Sequence, residues 1–216
     1  MRFFLHCFAR LIATIIVPLV FRYKTMGERN LPARGGVIIG ANHQSYLDPI
    51  FFGLAARRPI HFMAKKELFK WKPFAILITL FNAFPVNREG TGKDALRRAI
   101  ELVKRGEVVL MFVEGTRGES DDIGEVKAGI SMVAARSGGI VVPAYISGAW
   151  RAWPRHKRFF RRTRVSVIFG KGFLASKDNK IEYGKVPYKE VPKVMKNRLL
   201  FLRGIVRDGG FSTGKS

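Results

Sequence analysis

The feature that most constrains the fold of this chain is the alternation of short apolar runs with segments of helical spacing. Six runs predict strands: Val37–Ala41, Ile60–Ala64, Phe84–Val86, Val108–Val113, Val141–Ile146 and Arg164–Phe169. Five segments predict helices: Pro49–Arg57, Glu67–Phe81 (kinked or restarted at Pro73), Lys93–Arg105, Lys127–Ser137 and residues 188–206. Because parallel strands need crossover connections, usually helices, this order predicts an α/β domain with a mostly parallel sheet flanked by helices. The 216 residues suffice for one such domain.

Polar stretches follow four of the predicted strands. They read NHQSYLD (42–48), NREGTGK (87–93), EGTRGE (114–119) and SGAW (147–150). In an open α/β sheet, ligands bind at the carboxyl ends of the strands. We therefore expect these four stretches to converge on one site.

His43 and Asp48 are the first candidates for catalysis. On a regular helix five residues turn through about 500°, so the pair can meet only if His43 lies in a turn and Asp48 begins the next helix. Asp48 followed by Pro49 is typical of a helix start, so the carboxylate could simply cap that helix. Alternatively, it could accept a hydrogen bond from His43 and leave the other ring nitrogen as a general base. The spacing alone leaves both interpretations open.

Two of the polar stretches have the residue types of an anion site. In EGTRGE, a strand leads to Glu114, Gly115 turns the chain, and Thr116 and backbone amides are left for an anion beside the guanidinium of Arg117. In NREGTGK, Arg88 and two glycines precede a helix N-terminus, which favours phosphate. An ordinary solvated turn is the alternative for either stretch alone.

Other chemistries lack their motifs. The chain contains no GxSxG elbow, no HExxH and no cysteine–histidine ligand set, so neither that class of hydrolase nor a metal site is predicted. No cofactor is expected.

The net charge of +23 at pH 7 predicts an anionic partner, either nucleic acid or an anionic membrane. Residues 151–164 interleave basic and aromatic side chains, which suits lipid headgroups or single-stranded nucleic acid. Residues 3–21 are mostly apolar but interrupted by Arg10, and the uncharged run Leu11–Phe21 is shorter than the ~20 residues of a membrane-spanning helix. We interpret this segment as an interfacial anchor rather than as a buried helix of a soluble protein. An interfacial anchor favours an anionic phospholipid membrane as the partner, and no nucleic acid is expected.

The predicted division has an anchor at residues 1–30, one catalytic or binding domain at 31–208 and a flexible tail at 209–216. Residues 68–86 are unusually apolar. The pattern fits a core helix, an acyl-chain tunnel or a lipid contact equally well, because the apolar residues lie nearly all round the helix.

Together the polar stretches resemble the conserved blocks of the glycerolipid acyltransferases, specifically the bacterial 1-acylglycerol-3-phosphate acyltransferases. NHQSYLD resembles their NHxxxxD block, FPVNREG (84–90) their second block, FVEGTRG (112–118) their FPEGTRS block and VVPAYISG (141–148) their fourth. The resemblance covers residues 35–150. Val113 and Gly118 depart from the third block, where proline and serine are usual.

This resemblance implies a glycerolipid-acyltransferase-like fold and a mechanism. His43 would remove the proton from the free hydroxyl of lysophosphatidic acid, and Asp48 would orient His43. The alkoxide would attack the thioester of acyl-CoA or of acyl-carrier protein without an acyl-enzyme, and phosphatidic acid would result.

The resemblance also implies the binding groups. Arg88, Arg117 and Lys127 would hold the phosphate, whereas Glu114, Gly115 and Thr116 would brace the loop and support the oxyanion. An ordinary solvent-facing lysine remains the alternative for Lys127. Glycerol-3-phosphate or another lysolipid remains an alternative acceptor, and a basic nucleic-acid-binding protein remains the non-enzyme alternative. We expect a monotopic protein on the cytoplasmic face of the inner membrane.

Overall fold

The computed structural model describes residues 11, 13–70, 72–86, 92–153, 161–177 and 184–209, without the side chains of residues 73, 74 and 77. Within these residues the strands are β1 (Arg22–Met26), β2 (Val37–Ala41), β3 (Ile60–Lys65), β4 (Ala83–Val86), β5 (Val108–Phe112), β6 (Ile140–Ser147), β7 (Arg164–Phe169), β8 (Leu174–Ala175) and β9 (Lys185–Val186). The α-helices are α1 (residues 13–20), α2 (Asp48–Ala55), α3 (Lys72–Leu80), α4 (Lys93–Lys104), α5 (Gly129–Ser137), α6 (Ala149–Ala152) and α7 (Val191–Arg207). Short 3-10 helices cover Glu28–Asn30, Lys66–Phe69 and Tyr188–Glu190.

The main sheet has seven strands in the order β1-β7-β6-β2-β5-β3-β4. Every neighbouring pair is parallel except β6 and β7. Consequently β2 to β6 all end at one edge of the sheet, whereas β1 and β7 end at the opposite edge. The three central strands, β6, β2 and β5, lie side by side, so the loops that follow them are neighbours.

Helices cover both faces of the sheet, and this explains why the strands read as continuous apolar runs. In β2, Val37 and Ile39 face one core together with α1 and α2, whereas Ile38 faces the other core with α4, α5 and α7. All five residues of β2 are buried. Gly40 leaves room for Met195 of α7, whose side chain would lie 2.5 Å from a Cβ at that position.

The predicted mostly parallel α/β sheet flanked by helices is confirmed. Two strands, Val37–Ala41 and Arg164–Phe169, have their predicted bounds, and the other predicted strands differ by one residue at one or both ends. The segment Glu67–Phe81 forms a 3-10 turn, Lys66–Phe69, followed by the separate helix α3. The helix predicted from Lys127 begins at Gly129.

Strand β1 is an element that the sequence analysis did not predict. Arg22–Met26 pairs with β7 along its whole length at the end of the sheet, although it lies within the segment assigned to the anchor. Its sequence, RYKTM, lacks an apolar run because it is an edge strand with no fully buried residue.

Helix α1 buries one side and exposes the other. Val17 packs into the core, whereas Ile15, Ile16 and Leu19 are exposed by 56%, 50% and 68%. Among the described residues, no helix combines the length and apolar character that crossing a membrane requires. Residues 1–10, Arg88, residues 154–160 and the chain after residue 209 lie outside the described residues, together with the predictions made for them.

Candidate active site

The loops after β2, β5 and β6 meet at the shared carboxyl edge of the sheet. His43 follows β2 by two residues, Glu114 follows β5 by two residues, and Gly148 directly follows β6. The loop after β4 starts from the same edge, but β3 separates β4 from β5. Three of the four polar stretches therefore converge as predicted. Residues 87–91 of the fourth stretch, which include Arg88, lie outside the described residues.

His43 and Asp48 are in direct contact. The Nδ1 atom of His43 lies 2.8 Å from Oδ2 of Asp48, whose side chain is fully buried. An ionised carboxylate only accepts hydrogen bonds, so this contact places the ring proton on Nδ1 and leaves Nε2 with a free electron pair. The same Oδ2 accepts the backbone N–H groups of Gln44 at 2.6 Å and of Ser45 at 2.9 Å.

Asp48 does not cap helix α2. It is the first helical residue rather than the N-cap, which is Leu47, and its carboxylate bonds to groups that precede the helix. The other carboxylate oxygen, Oδ1, is buried and has no hydrogen-bond partner among the described residues. Of the two interpretations left open by the sequence, the geometry matches the orienting carboxylate.

The ring of His43 is held on its flat side by Phe112. The two rings are stacked with centroids 3.8 Å apart and planes inclined by 11°. The side chain of His43 keeps 13% of its surface exposed. Stacking on Phe112 and the bond to Asp48 together restrict rotation of the imidazole while leaving part of it accessible.

The main chain of His43 is tied to the loop after β5. Its N–H group donates to Oε2 of Glu114 at 3.0 Å, and its carbonyl accepts from the N–H group of Gly118 at 2.8 Å. The second carboxylate oxygen of Glu114 accepts from Gly124 at 2.6 Å, farther along the same loop. Glu114 thus links the loop after β2 to the loop after β5. A Cβ at Gly118 would lie 3.7 Å from the carbonyl oxygen of His43, an ordinary contact, so the available space does not require glycine at this position.

Arg117 is stacked on an aromatic residue from the histidine loop. Its guanidinium carbon lies 3.5 Å from the ring centroid of Tyr46. Tyr46 in turn meets Trp153 edge to face, with centroids 6.2 Å apart. This stacking uses the face of the guanidinium and leaves the N–H groups along its edge for an anion.

Beside this stack the loop after β5 forms the wall of an open cleft of about 530 Å³. The residues that line the cleft include Glu114, Thr116, Arg117 and Lys127. Gly115 has φ +75°, so the sharp turn requires glycine. The Nζ atom of Lys127 is 2.6 Å from Glu125, in an exposed ion pair. Lys127 therefore reaches the cleft with its charge partly offset by a neighbouring carboxylate.

Two residues that the sequence analysis did not single out join the three loops. The side-chain amide of Gln44 donates to Oδ1 of Asp121 at 3.0 Å. That oxygen also accepts from Ser147 and Gly148 at the end of β6. Burial alone would raise the pKa of the Asp121 carboxyl, but the hydrogen bonds that it accepts, that of Gln44 foremost, outweigh burial and lower this pKa. The sequence carries no signal for this contact, because 77 residues separate the partners.

Ser45 is not placed as a nucleophile. Its side chain is fully buried, and its Oγ accepts the N–H group of Leu47 at 3.3 Å. The site can therefore carry out proton transfer at His43 beside a cleft with cationic groups, whereas the hydroxyl of Ser45 only holds its own loop.

Comparison with known proteins agrees with this geometry. A family model described as Acyltransferase matches residues 22–147. The chain is 32% identical over 177 residues to a 1-acyl-sn-glycerol-3-phosphate acyltransferase of Bacillus subtilis (strain 168), covering 82% of this chain and 83% of the relative. It is 31% identical over 180 residues to a chloroplast 1-acyl-sn-glycerol-3-phosphate acyltransferase of Arabidopsis thaliana, covering 82% of this chain and 50% of that relative.

The fold also matches a solved structure. The crystal structure of the 1-acyl-sn-glycerophosphate acyltransferase PlsC from Thermotoga maritima superposes with a TM-score of 0.76 and 22% sequence identity, covering 94% of this chain and 80% of that chain. Because the family model matches more than half of the chain, the chain belongs to the acyltransferase family of the 1-acyl-sn-glycerol-3-phosphate acyltransferases.

Proposed function

We propose that this protein transfers a fatty acyl group from acyl-CoA or acyl-carrier protein to the sn-2 hydroxyl of lysophosphatidic acid, giving phosphatidic acid. The observation that carries the proposal is the bond from His43 Nδ1 to the buried carboxylate of Asp48, beside a cleft that contains Arg117. The relatives whose printed names describe this activity support it.

In the proposed reaction His43 Nε2 takes the proton of the acceptor hydroxyl. The resulting oxygen nucleophile attacks the thioester carbonyl, the carbon–sulfur bond breaks, and the departing thiolate receives the proton from the imidazolium. Asp48 stabilises the imidazolium because the carboxylate is 2.8 Å from Nδ1 and fully buried. No acyl-enzyme is required, since the hydroxyl of Ser45 is buried and bonded within its own loop.

The acceptor's phosphate is held by Arg117, with Arg88 and Lys127 as further ligands. The edge of the Arg117 guanidinium is left for the phosphate, because its face is stacked on Tyr46. Since Tyr46 lies in the same loop as His43, this contact sets the phosphate site in relation to the base. Positioning of this kind supplies a large part of the rate enhancement in two-substrate reactions.

The developing oxyanion is stabilised by backbone amides of the loop after β5. The amide of Gly115 bonds to Phe112 and that of Gly118 bonds to His43. Among the described residues, the amides of Thr116 and Arg117 have no such partner, so they are the donors that we assign to the oxyanion. A well-placed donor contributes about 3–4 kcal/mol in other acyl transfers.

The acceptor is a lipid, and we propose that the protein binds the membrane surface through its N-terminal segment, residues 1–30, at the cytoplasmic face of the inner membrane. Support comes from the exposed Ile15, Ile16 and Leu19 of α1. Exposed Ile76 of α3 lies on a helix that packs against the same face of the sheet, since α1 and α3 share one core. The net charge of +23 favours anionic headgroups.

The enzymatic proposal is tested with a purified His43→Ala variant. We expect loss of lysophosphatidic acid acylation with both donor types, because no other described residue replaces the base. His61→Ala is the matched control, since His61 lies on β3 and pairs with Glu107 at 3.7 Å. Acylation at the wild-type rate by His43→Ala would overturn the mechanism.

Acceptor specificity is tested in the same assay. Lysophosphatidic acid should be acylated with a higher kcat/KM than lysolipids with a substituted phosphate, because the guanidinium site fits a terminal phosphate. Its kcat/KM should also exceed that of glycerol-3-phosphate, which carries the same phosphate but lacks the acyl chain that would hold the acceptor at the membrane surface. A higher kcat/KM for glycerol-3-phosphate would assign the chain to the alternative acceptor.

Membrane binding is tested by flotation with vesicles that contain or lack anionic lipid. Leu19→Glu should weaken binding because it puts a charge on the exposed side of α1. The control is Phe201→Glu, which changes an equally exposed apolar side chain on α7, on the opposite face of the sheet. Equal loss in both variants would argue against membrane contact through α1.

A further inference from the structure

We infer that Asp121 is a positioning residue: by holding the side chain of Gln44 it keeps the loop that carries His43 in its active arrangement. The inference rests on the proposed function in taking His43 as the base. Asp121 touches neither the reacting atoms nor the cleft's cations, so its effect on the reaction is exerted through its neighbours.

Asp121 is the point at which three loops meet. Its Oδ1 atom accepts hydrogen bonds from the Gln44 side chain at 3.0 Å, the Ser147 hydroxyl at 3.0 Å and the Gly148 N–H group at 3.1 Å. Its backbone carbonyl accepts from the hydroxyl of buried Tyr145 at 2.8 Å. These contacts link the loops after β2 and β6 to the loop after β5, in which Asp121 lies.

Gln44 extends the link to the base. Its side-chain amide nitrogen also donates to the carbonyl of Ser120, and its side-chain oxygen accepts the N–H group of Ala149 at 3.1 Å. Its backbone N–H group donates to Oδ2 of Asp48, the same oxygen that bonds His43. One residue therefore connects Asp121 and Asp48, through its side chain and its main chain respectively.

The charge of Asp121 suits this role. Its side chain is 22% exposed, and its other carboxylate oxygen is 4.0 Å from the guanidinium of Arg151. A carboxylate oxygen accepts several hydrogen bonds, whereas a neutral side chain of the same size satisfies fewer donors. Removing it leaves the Gln44 side chain with fewer anchors, and the Gln44 peptide is then free to shift against Asp48.

The experiment compares Asp121→Ala and Asp121→Asn with Asp208→Ala. Asp208 is an exposed aspartate that follows the end of α7 and does not line the cleft. We expect Asp121→Ala to lower kcat about 10- to 100-fold, the scale of a displacement of about 1 Å at a reacting group, with the KM for lysophosphatidic acid within about threefold. Asp121→Asn keeps the Oδ1 acceptor but loses the charge, so it should lower kcat less than Asp121→Ala. If Asp121→Ala does not fold, Gln44→Ala tests the same contact, and a wild-type kcat in folded Gln44→Ala would overturn the inference. Asp208→Ala should keep the wild-type kcat.

A double-mutant cycle separates positioning from general destabilisation. If Asp121 acts through Gln44, then Asp121→Ala adds little to the loss of kcat already produced by Gln44→Ala. Multiplied losses in the double variant, or a wild-type kcat in folded Asp121→Ala, would overturn the inference.

Amide hydrogen exchange tests the inference independently of the reaction. Exchange at Gln44 and Ser45 should be faster in Asp121→Ala than in the wild type and unchanged in Asp208→Ala. If the wild-type protein acylates no lysophosphatidic acid, the proposed function fails, but faster exchange at these two amides still supports the link from Asp121 to Gln44. Unchanged exchange refutes that link whichever substrate the enzyme uses.

Discussion

Asp48→Asn is the substitution that most directly tests the chemistry of the site. It keeps the size of the side chain and removes its charge. In the wild-type structure Oδ2 of Asp48 faces three donors, the ring of His43 and the backbone amides of Gln44 and Ser45. An asparagine must place its carbonyl oxygen there, because its NH2 group would otherwise face two N–H donors. The Nδ1–H tautomer of His43 is therefore retained.

The expected loss follows from the charge. A carboxylate and an imidazolium about 4 Å apart attract each other by about 4 kcal/mol at an effective dielectric constant of about 20. A neutral hydrogen bond keeps about half the strength of a charge-assisted one, so the net loss of transition-state stabilisation is about 2–4 kcal/mol. At 1.36 kcal/mol for each factor of ten, kcat should fall about 30- to 1000-fold. The loss should stay below the factor of about 10⁴ that follows when the wrong tautomer is stabilised.

The assay is acyl transfer to lysophosphatidic acid in mixed micelles, with kcat and KM measured separately and folding checked by thermal denaturation. The KM should change little, because Asp48 is fully buried and makes no contact with the cleft. Asp208→Asn, after the end of α7, is the control for loss of a carboxylate elsewhere. A kcat within threefold of the wild type would refute the role of Asp48, and a fall beyond 10⁴ in folded protein would refute the argument about the tautomer.

Three further predictions concern other parts of the site. Tyr46→Ala should raise the KM for lysophosphatidic acid about two- to fivefold because Arg117 loses its stacking partner, whereas Tyr46→Phe should not; initial-rate kinetics that give both variants the same KM would contradict this. Gly148→Ala should lower the free energy of unfolding by at least about 2 kcal/mol in urea denaturation, since φ is +79° and a Cβ would lie 2.1 Å from the carbonyl oxygen of Arg164; an unchanged midpoint would contradict it. The stability that Asp121 gives relative to Asp121→Ala should be present at neutral pH and decline as the pH falls below 3.8, the ordinary pKa, and through the lowered pKa of the folded state; a difference that grows in acid would contradict it.

The sheet could be predicted largely from the sequence, because each central strand is buried on both faces. β2 and β5 are continuous apolar runs of five residues between polar loops, which is a typical length for a strand and too short for a typical helix. β1 could not be predicted, because an edge strand buries little and RYKTM carries two basic residues. Its place beside β7 is set by pairing with residues 142 positions away, as for Arg22 with Arg164.

The contacts of the site likewise include some that the local sequence indicates and others that depend on the strand order. The contact between His43 and Asp48 arises within a seven-residue stretch, so the spacing and the helix start at Asp48 made it one of two interpretations that the sequence left open. The stacking of Arg117 on Tyr46 and the contacts of Asp121 depend on which strands are neighbours in the sheet. No local pattern encodes that order, because β5 follows β4 in the chain but pairs with β2 and β3 in the sheet.

Local contacts and contacts between loops should affect the enzyme differently when they are changed by substitution. The local stretch NHQSYLD supplies the proposed base, its carboxylate and the donors that hold the carboxylate, so we expect it to form as a unit once α2 begins. The distance from this unit to the phosphate site depends instead on the loop after β5, through Glu114 and Asp121. Asp48→Asn should therefore lower kcat without loosening the contact between the loops after β2 and β5, whereas Asp121→Ala should lower kcat and loosen that contact. Since acceptors differ in the distance from hydroxyl to phosphate, the loop after β5 is where a change of acceptor should arise, with the base left intact.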